Sequence, residues 1–276
     1  MLLRLVLAAI LGATVTAHSD ERLPLFDGHL HYNAGSSERY PPETVLAVLD
    51  RAGIVRALLS STPNDGTALL YARYPDRFVP ELRPYRMTRD LQSFAEVRRT
   101  WFKDPETVVF VERELARGIY RGIGEFHLDG AEADTPVIAQ LVELAMTRNL
   151  WLHAHSDAAA VEKLYRFQPD IRIVWAHAGM TEPPRTIARM LERHPRLIAE
   201  LSYRYEISAS GQLDPEWKAL LLRFPDRFIY GTDTWTPSRW DEVVSLADQA
   251  RRWLTQLPPD VAQRIAFRNA EVLFAR

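Results

Sequence analysis

Six of the eight histidines in this 276-residue sequence sit beside short apolar runs, in company with two acidic residues. The first are His29 and His31, in Leu25-Phe26-Asp27-Gly28-His29-Leu30-His31. Side chains along a strand alternate between faces, so two histidines two apart point the same way. Two imidazoles converging in this manner can chelate one divalent cation. A His-x-His alone equally fits a turn or a surface feature. The other polar residues give the pair its meaning: Glu125 closes Gly122-Ile123-Gly124-Glu125, and His153 and His155 close Trp151-Leu152-His153-Ala154-His155. His177 follows Val174-Trp175-Ala176, and Asp233 follows Ile229-Tyr230-Gly231-Thr232. A polar group placed after apolar residues is expected to be buried, and a buried polar group needs a partner. The sequence has no cysteine. Any metal is therefore held by His, Asp and Glu, a set that suits zinc and also Mn, Ni or Fe.

The elements that must position these residues read as a repeat. Eight apolar runs have strand character: Leu23–Asp27, Arg56–Ser60, Phe78–Arg83, Gly122–Glu125, Leu150–His155, Ile171–Trp175, Leu197–Leu201 and Phe228–Gly231. Between them lie helical patterns at Pro41–Arg51, Thr135–Arg148, Ala158–Phe167, Pro183–His194, Pro215–Phe224 and Trp240–Leu254. Strand alternating with helix is the pattern of a parallel α/β sheet. Eight repeats in this length predict a closed (β/α)8 TIM barrel, a single domain over residues 18–276. The segment Met87–Arg117 is the longest insertion and is expected to hold two helices. In such barrels functional groups gather at the C-terminal ends of the strands. Six histidines meet that expectation; His18 and His194 do not.

The order His-x-His, Glu, His, His, Asp along strands one, four, five, six and eight resembles the amidohydrolase superfamily of metal-dependent hydrolases, from about Leu23 to the end. Gly231-Thr232-Asp233 is similar to its eighth-strand aspartate motif, and Ile265–Phe274, with Asn269-Ala270, resembles the closing helix of the amidohydrolase-2, or amidohydrolase-related, branch. Gly124-Glu125 with Asp129, and His155-Ser156 with Ala158, resemble the TatD-like hydrolases. The resemblance implies that His29, His31 and Asp233 bind a first metal, that His155 and His177 bind a second, and that Glu125 bridges two ions or binds one. Some members bridge with a modified lysine; Lys103, Lys163 and Lys218 all lie away from strand ends. Two positions depart from the pattern. His153 shares a face with His155, either of which can be the fifth-strand ligand, with His155 preferred as nearer the rim. His127 stands where the TatD-like pattern has glycine, as a ligand, a proton carrier or a hydrogen-bond partner.

One or two divalent ions would activate water, with Asp233 as general base, to cleave an ester, lactone, amide or phosphoester of a small molecule. The alternatives are non-oxidative decarboxylation of an aromatic or unsaturated acid, and a non-catalytic metal-binding protein on the same fold. Substrate contacts are sought in Arg83 and Arg86 after the third strand, Tyr203 and Arg204 after the seventh, and Trp235 and Trp240 after the eighth. Guanidinium in particular can clamp a carboxylate or phosphate in a bidentate fork. A net charge of −2 gives no ground for nucleic acid as a partner. Residues 1–17, with Arg4 followed by the apolar run Leu5–Leu11 and ending Val15-Thr16-Ala17, read as a cleavable signal peptide. They predict a secreted or periplasmic protein that is free of the membrane after cleavage, with a homodimer as an open option.

Overall fold

The computed structural model describes residues 22–87 and 94–275, so the expected signal peptide and His18 lie outside the described residues. Eight strands run in chain order: β1 Leu25–His31, β2 Ile54–Ser60, β3 Phe78–Leu82, β4 Gly122–Leu128, β5 Trp151–Ser156, β6 Arg172–Trp175, β7 Leu197–Glu200 and β8 Phe228–Ile229. Each pairs in parallel with the next. At the seam between β8 and β1, Gly28 N donates to Tyr230 O at 2.7 Å, and Asp233 N donates to His29 O at 2.7 Å. The expected (β/α)8 barrel is thus present, with helices on its outer face.

Two apolar layers hold it together. Phe26, Leu58, Val79, Trp151, Val174 and Ile229 point inward and fill the barrel, joined by Ala270 and Phe274. The Phe274 ring meets Trp151 and Phe26 at centroid distances of 4.5 and 5.5 Å. Asn269 secures this closing segment by donating to Pro225 O and Phe228 O, both at 2.8 Å. The other core lies between strands and helices and includes Leu25, Leu59, Val142, Leu164 and Trp240. Helix starts follow their capping residues. Thr135 Oγ1 accepts from Ile138 N ahead of Pro136–Thr147, and Asp157 accepts from Ala160 N ahead of Ala158–Phe167.

Strand ends differ from the sequence reading where they matter most. β1 continues to His31 and β4 to Leu128, so His29, His31 and Glu125 lie within strands rather than just at their ends. Register shifts between Asp27 and Leu30 and between Gly124 and Phe126 carry both strands past their polar residues. Such irregularities re-aim side chains, and here they turn toward the barrel mouth. β8 is only two residues long because the chain leaves the sheet toward Asp233. Helices Ala34–Arg39 and Asp65–Arg73 were not apparent, since glycine, serine and charge dominate one and flank the other. The insertion does hold two helices, Phe94–Thr100 and Glu106–Leu115.

Candidate metal centre

His29 and His31 project from one strand into the barrel mouth with their Nε2 atoms 3.1 Å apart, and both rings are buried. Their other nitrogens are taken by the protein. His29 Nδ1 donates to Glu200 Oε2 at 2.9 Å, and His31 Nδ1 hydrogen-bonds Ser60 Oγ at 2.9 Å. His177 Nδ1 likewise meets Ser202 Oγ at 2.9 Å, and His153 Nδ1 meets Glu81 Oε2 at 2.9 Å. In all four the Nδ1 side is anchored, which frees Nε2 for something else; this is how histidine ligands are oriented in metal sites. His153 Nε2 is buried without a partner.

The carboxylates complete the arrangement. Asp233 Oδ1 lies 3.2 Å from His31 Nε2 and 3.7 Å from His29 Nε2, yet accepts no properly directed hydrogen bond. Glu125 Oε2 lies 3.2 Å from His31 Nε2, while Oε1 lies 2.8 Å from His155 Nδ1 and 3.8 Å from His177 Nε2. Among the described residues, three groups bring donor atoms within 4.8 Å of one another: His29, His31 and Asp233; His29, His177 and Glu200; and Glu125, His127 and His155. Two imidazole nitrogens and an unpartnered carboxylate oxygen, buried and converging, are what a divalent cation requires. The residues therefore fit a divalent-metal site.

The backbone is strained where these groups are placed. His177, Tyr203 and Asp233, beyond the ends of β6, β7 and β8, have φ of 54°, 60° and 50°. Side-chain-bearing residues avoid this region at a cost of order 1–3 kcal/mol each, and such strain gathers at functional sites. Gly231 is needed for packing: a Cβ there would lie 2.2 Å from Glu200 Oε1 and 2.9 Å from His29 Cβ.

Charge is distributed accordingly. Burial opposes the charge on Glu125, but His29 and the neighbouring histidines outweigh it and hold the carboxyl well below its usual range. Glu200 is likewise opposed by burial yet brought down to about 2 by His29 and His177. Asp233 is held low by His29 and His31 against the same opposition. His29 is raised despite burial, by Asp233, Glu125 and Glu200. His177 is lowered to about 4, first by burial and then by His29. His127 is also lowered well below its usual value by burial.

The structure brings His29, His31, Glu125, His153, His155, His177 and Asp233 together, with His127 at the edge, stacked on His155 at 4.4 Å. The fifth-strand histidines have different settings: His153 is fully buried behind His29, and the side chain of His155 is 26% exposed on Glu125. Tyr203 stands against the His177 ring at 5.6 Å, and Trp235 lies at the rim, 41% exposed. Two arginines sought as substrate clamps are placed otherwise. Arg83 is buried and donates to Glu125 Oε2 at 3.0 Å, Glu125 O at 2.8 Å and Thr62 Oγ1 at 2.9 Å, so it braces Glu125. Arg204 is buried and donates to the carbonyls of His177, Ala178 and Glu182, fixing the turn after β6. Arg86 pairs with Asp104 on the surface, and Trp240 belongs to the core. Glu81 and Glu200 were missed, although each follows an apolar stretch of its strand as Glu125 does.

An eight-stranded barrel carrying buried histidine–carboxylate clusters at its mouth defines a metal-dependent hydrolase acting on a small molecule. The family model described as Amidohydrolase matches residues 50–276, and the chain belongs to that family. The match begins after His29 and His31, whose assignment rests on geometry. Among solved structures, an uncharacterized TIM-barrel protein from Bordetella bronchiseptica is similar at 14% identity and a TM-score of 0.62, covering 92% of this chain and 99% of that one. An amidohydrolase from Burkholderia multivorans with bound HEPES is 13% identical, with a TM-score of 0.57 over 91% and 99% of the two chains. Amidohydrolase 2 from Bifidobacterium longum subsp. infantis is 12% identical, with a TM-score of 0.55 over 91% and 98%. At these identities the likeness is one of fold. No curated protein matches the sequence.

Proposed function

We propose that the chain hydrolyses an ester, lactone, amide or phosphoester of a small molecule, using one tightly held zinc ion at His29, His31 and Asp233. The observation that carries this is Asp233 Oδ1: buried, without a directed hydrogen bond, and 3.2 and 3.7 Å from the Nε2 atoms of His31 and His29. A divalent ion held there by His29, His31 and Asp233 would supply a more acidic water and polarise the scissile oxygen. Asp233 is the base that takes the proton and returns it to the leaving group. His177 Nε2, 3.7 Å from Asp233 Oδ2, orients that carboxylate. His153, held from behind by Glu81, presents its free nitrogen beside His29. Glu125, His155 and His177 form the second position, which Arg83 already neutralises in part. Zinc is the ion we propose; the same histidine and carboxylate donors also suit Mn, Ni or Fe, and metal analysis of the purified protein distinguishes them.

Decarboxylation remains the second reading, favoured by the single observation that Arg83 occupies Glu125, which leaves one ion rather than two. A screen of lactones, aryl esters, phosphoesters and aromatic acids with zinc-loaded protein separates the two: hydrolysis without CO2 release is expected. The segment 1–17 is proposed to direct export, testable by sequencing the N-terminus of the mature protein.

A further inference from the structure

Beyond the ligand cluster the pocket wall changes character. Its cavity, about 280 Å3, runs from Glu125, His155 and Asp233 up to Phe94, Arg98 and Trp235. Phe94 and Arg98 come from helix Phe94–Thr100 in the insertion after β3. The Phe94 and Trp235 rings pack at 5.4 Å. Behind that pair lies a mostly apolar hollow of about 200 Å3, bordered by Gly35, Thr62 and Pro237. The mouth therefore combines planar apolar surface with a guanidinium, Phe94 and Arg98 standing one turn apart on the same helix.

Arg98 differs from the other arginines near the pocket. Arg83 is engaged by Glu125 and Thr62, Arg204 by three carbonyls, and Arg239 by Thr232 O, the Tyr205 hydroxyl and Glu242. Arg98 is exposed and forms no hydrogen bond or ion pair among the described residues. It also borders the hollow beside His127, where its charge helps keep that imidazole neutral.

We propose that Arg98 receives a carboxylate of the substrate while Phe94 and Trp235 hold its planar apolar body, so that the substrate is a small aryl or alkenyl carboxylic acid bearing the hydrolysable bond. This deepens, and rests on, the hydrolytic reading of the same pocket. A carboxylate matches the guanidinium fork in a bidentate pair. The cavity is at the small end of ligand sites, which also suits a compact acid.

The test is calorimetric binding of 3-phenylpropionate and its neutral isostere 3-phenylpropionamide to zinc-loaded native protein, Arg98→Gln and Trp235→Ala. The acid is expected to bind native protein at least tenfold more tightly than the amide. Arg98→Gln should reduce that preference about tenfold while leaving amide binding unchanged, and Trp235→Ala should weaken both ligands alike. Any direct bond from carboxylate to zinc is common to native protein and Arg98→Gln and cancels in the ratio. An acid-to-amide preference unchanged in Arg98→Gln, or no preference in native protein, would overturn the proposal. Ester turnover with an unchanged preference would sink this proposal alone. The predicted loss of preference without any turnover would sink the hydrolytic reading and keep Arg98 as the anion anchor.

Discussion

One oxygen of Glu200 serves two ligand-bearing segments at once: Oε2 accepts from His29 Nδ1 at 2.9 Å and from the backbone N–H of His177 at 3.1 Å. The carboxylate is fully buried, also accepts from Ser202 N and Oγ, and fits only because position 231 is glycine. Glu200 thereby fixes the direction of His29 and the turn that carries His177. Glu200→Gln puts an N–H group or a neutral oxygen where two donors converge. We expect zinc affinity to fall about 10–100-fold, the usual effect of losing a partner behind a metal ligand. Competition with a chromophoric chelator measures this, and unchanged affinity would remove Glu200 from the site.

Asp233→Asn keeps shape and burial but removes the basic oxygen. Turnover should drop by about 10²–10⁴, the range for loss of a general base. Zinc binding should also weaken, because one of its three ligands becomes a neutral amide, so turnover is compared at saturating zinc. Retained activity would transfer the role to another group, with His127 and His153 the candidates.

Arg83 distinguishes a brace from a substrate clamp. Its guanidinium and the Glu125 carboxylate form a buried pair at 3.0 Å. Removing one partner of such a pair leaves an uncompensated charge and costs about 3–5 kcal/mol. Arg83→Met should therefore lower unfolding stability by that order in urea titration, and adding Glu125→Gln should recover part of it. A variant of native stability with a raised KM would instead mark Arg83 as a substrate contact.

His194 lies outside the site, stacked on Tyr165 at 4.0 Å, with its pKa lowered first by burial. The unfolded chain takes up this proton at higher pH than the folded one. Its stabilising contribution is therefore present above the ordinary histidine value of 6.5 and is lost as pH falls toward the lowered one. Melting temperature measured from pH 7 to 5 should fall less steeply in His194→Gln than in native protein.

Much of the site was legible because polar residues closing apolar strands leave a plain trace. His29, His31, Glu125, His177 and Asp233 each break such a run, and alternation placed the first pair on one face. Val79-Pro80-Glu81 and Ile198-Ala199-Glu200 carry the same trace, but no histidine shares the strand of either glutamate to mark it. Their partners, His153 and His29, lie 72 and 171 residues away, and only barrel closure brings them together. The settings of Arg83 and Arg204 were illegible for a related reason. A guanidinium near a strand end can face substrate or support the loop beneath, and which it does depends on the acceptors around it. His153 and His155 share a face of β5, so periodicity cannot separate them; Glu81 beside one and Glu125 beside the other do.

Whether a divalent ion is held at His29, His31 and Asp233 is decided by metal analysis of the gently purified protein beside a His29→Ala/His31→Ala variant. About one tightly held equivalent of zinc is predicted in the native protein, with substantially none at that affinity in the variant. A native protein that carries no divalent metal and regains none on incubation with zinc would contradict this metal site.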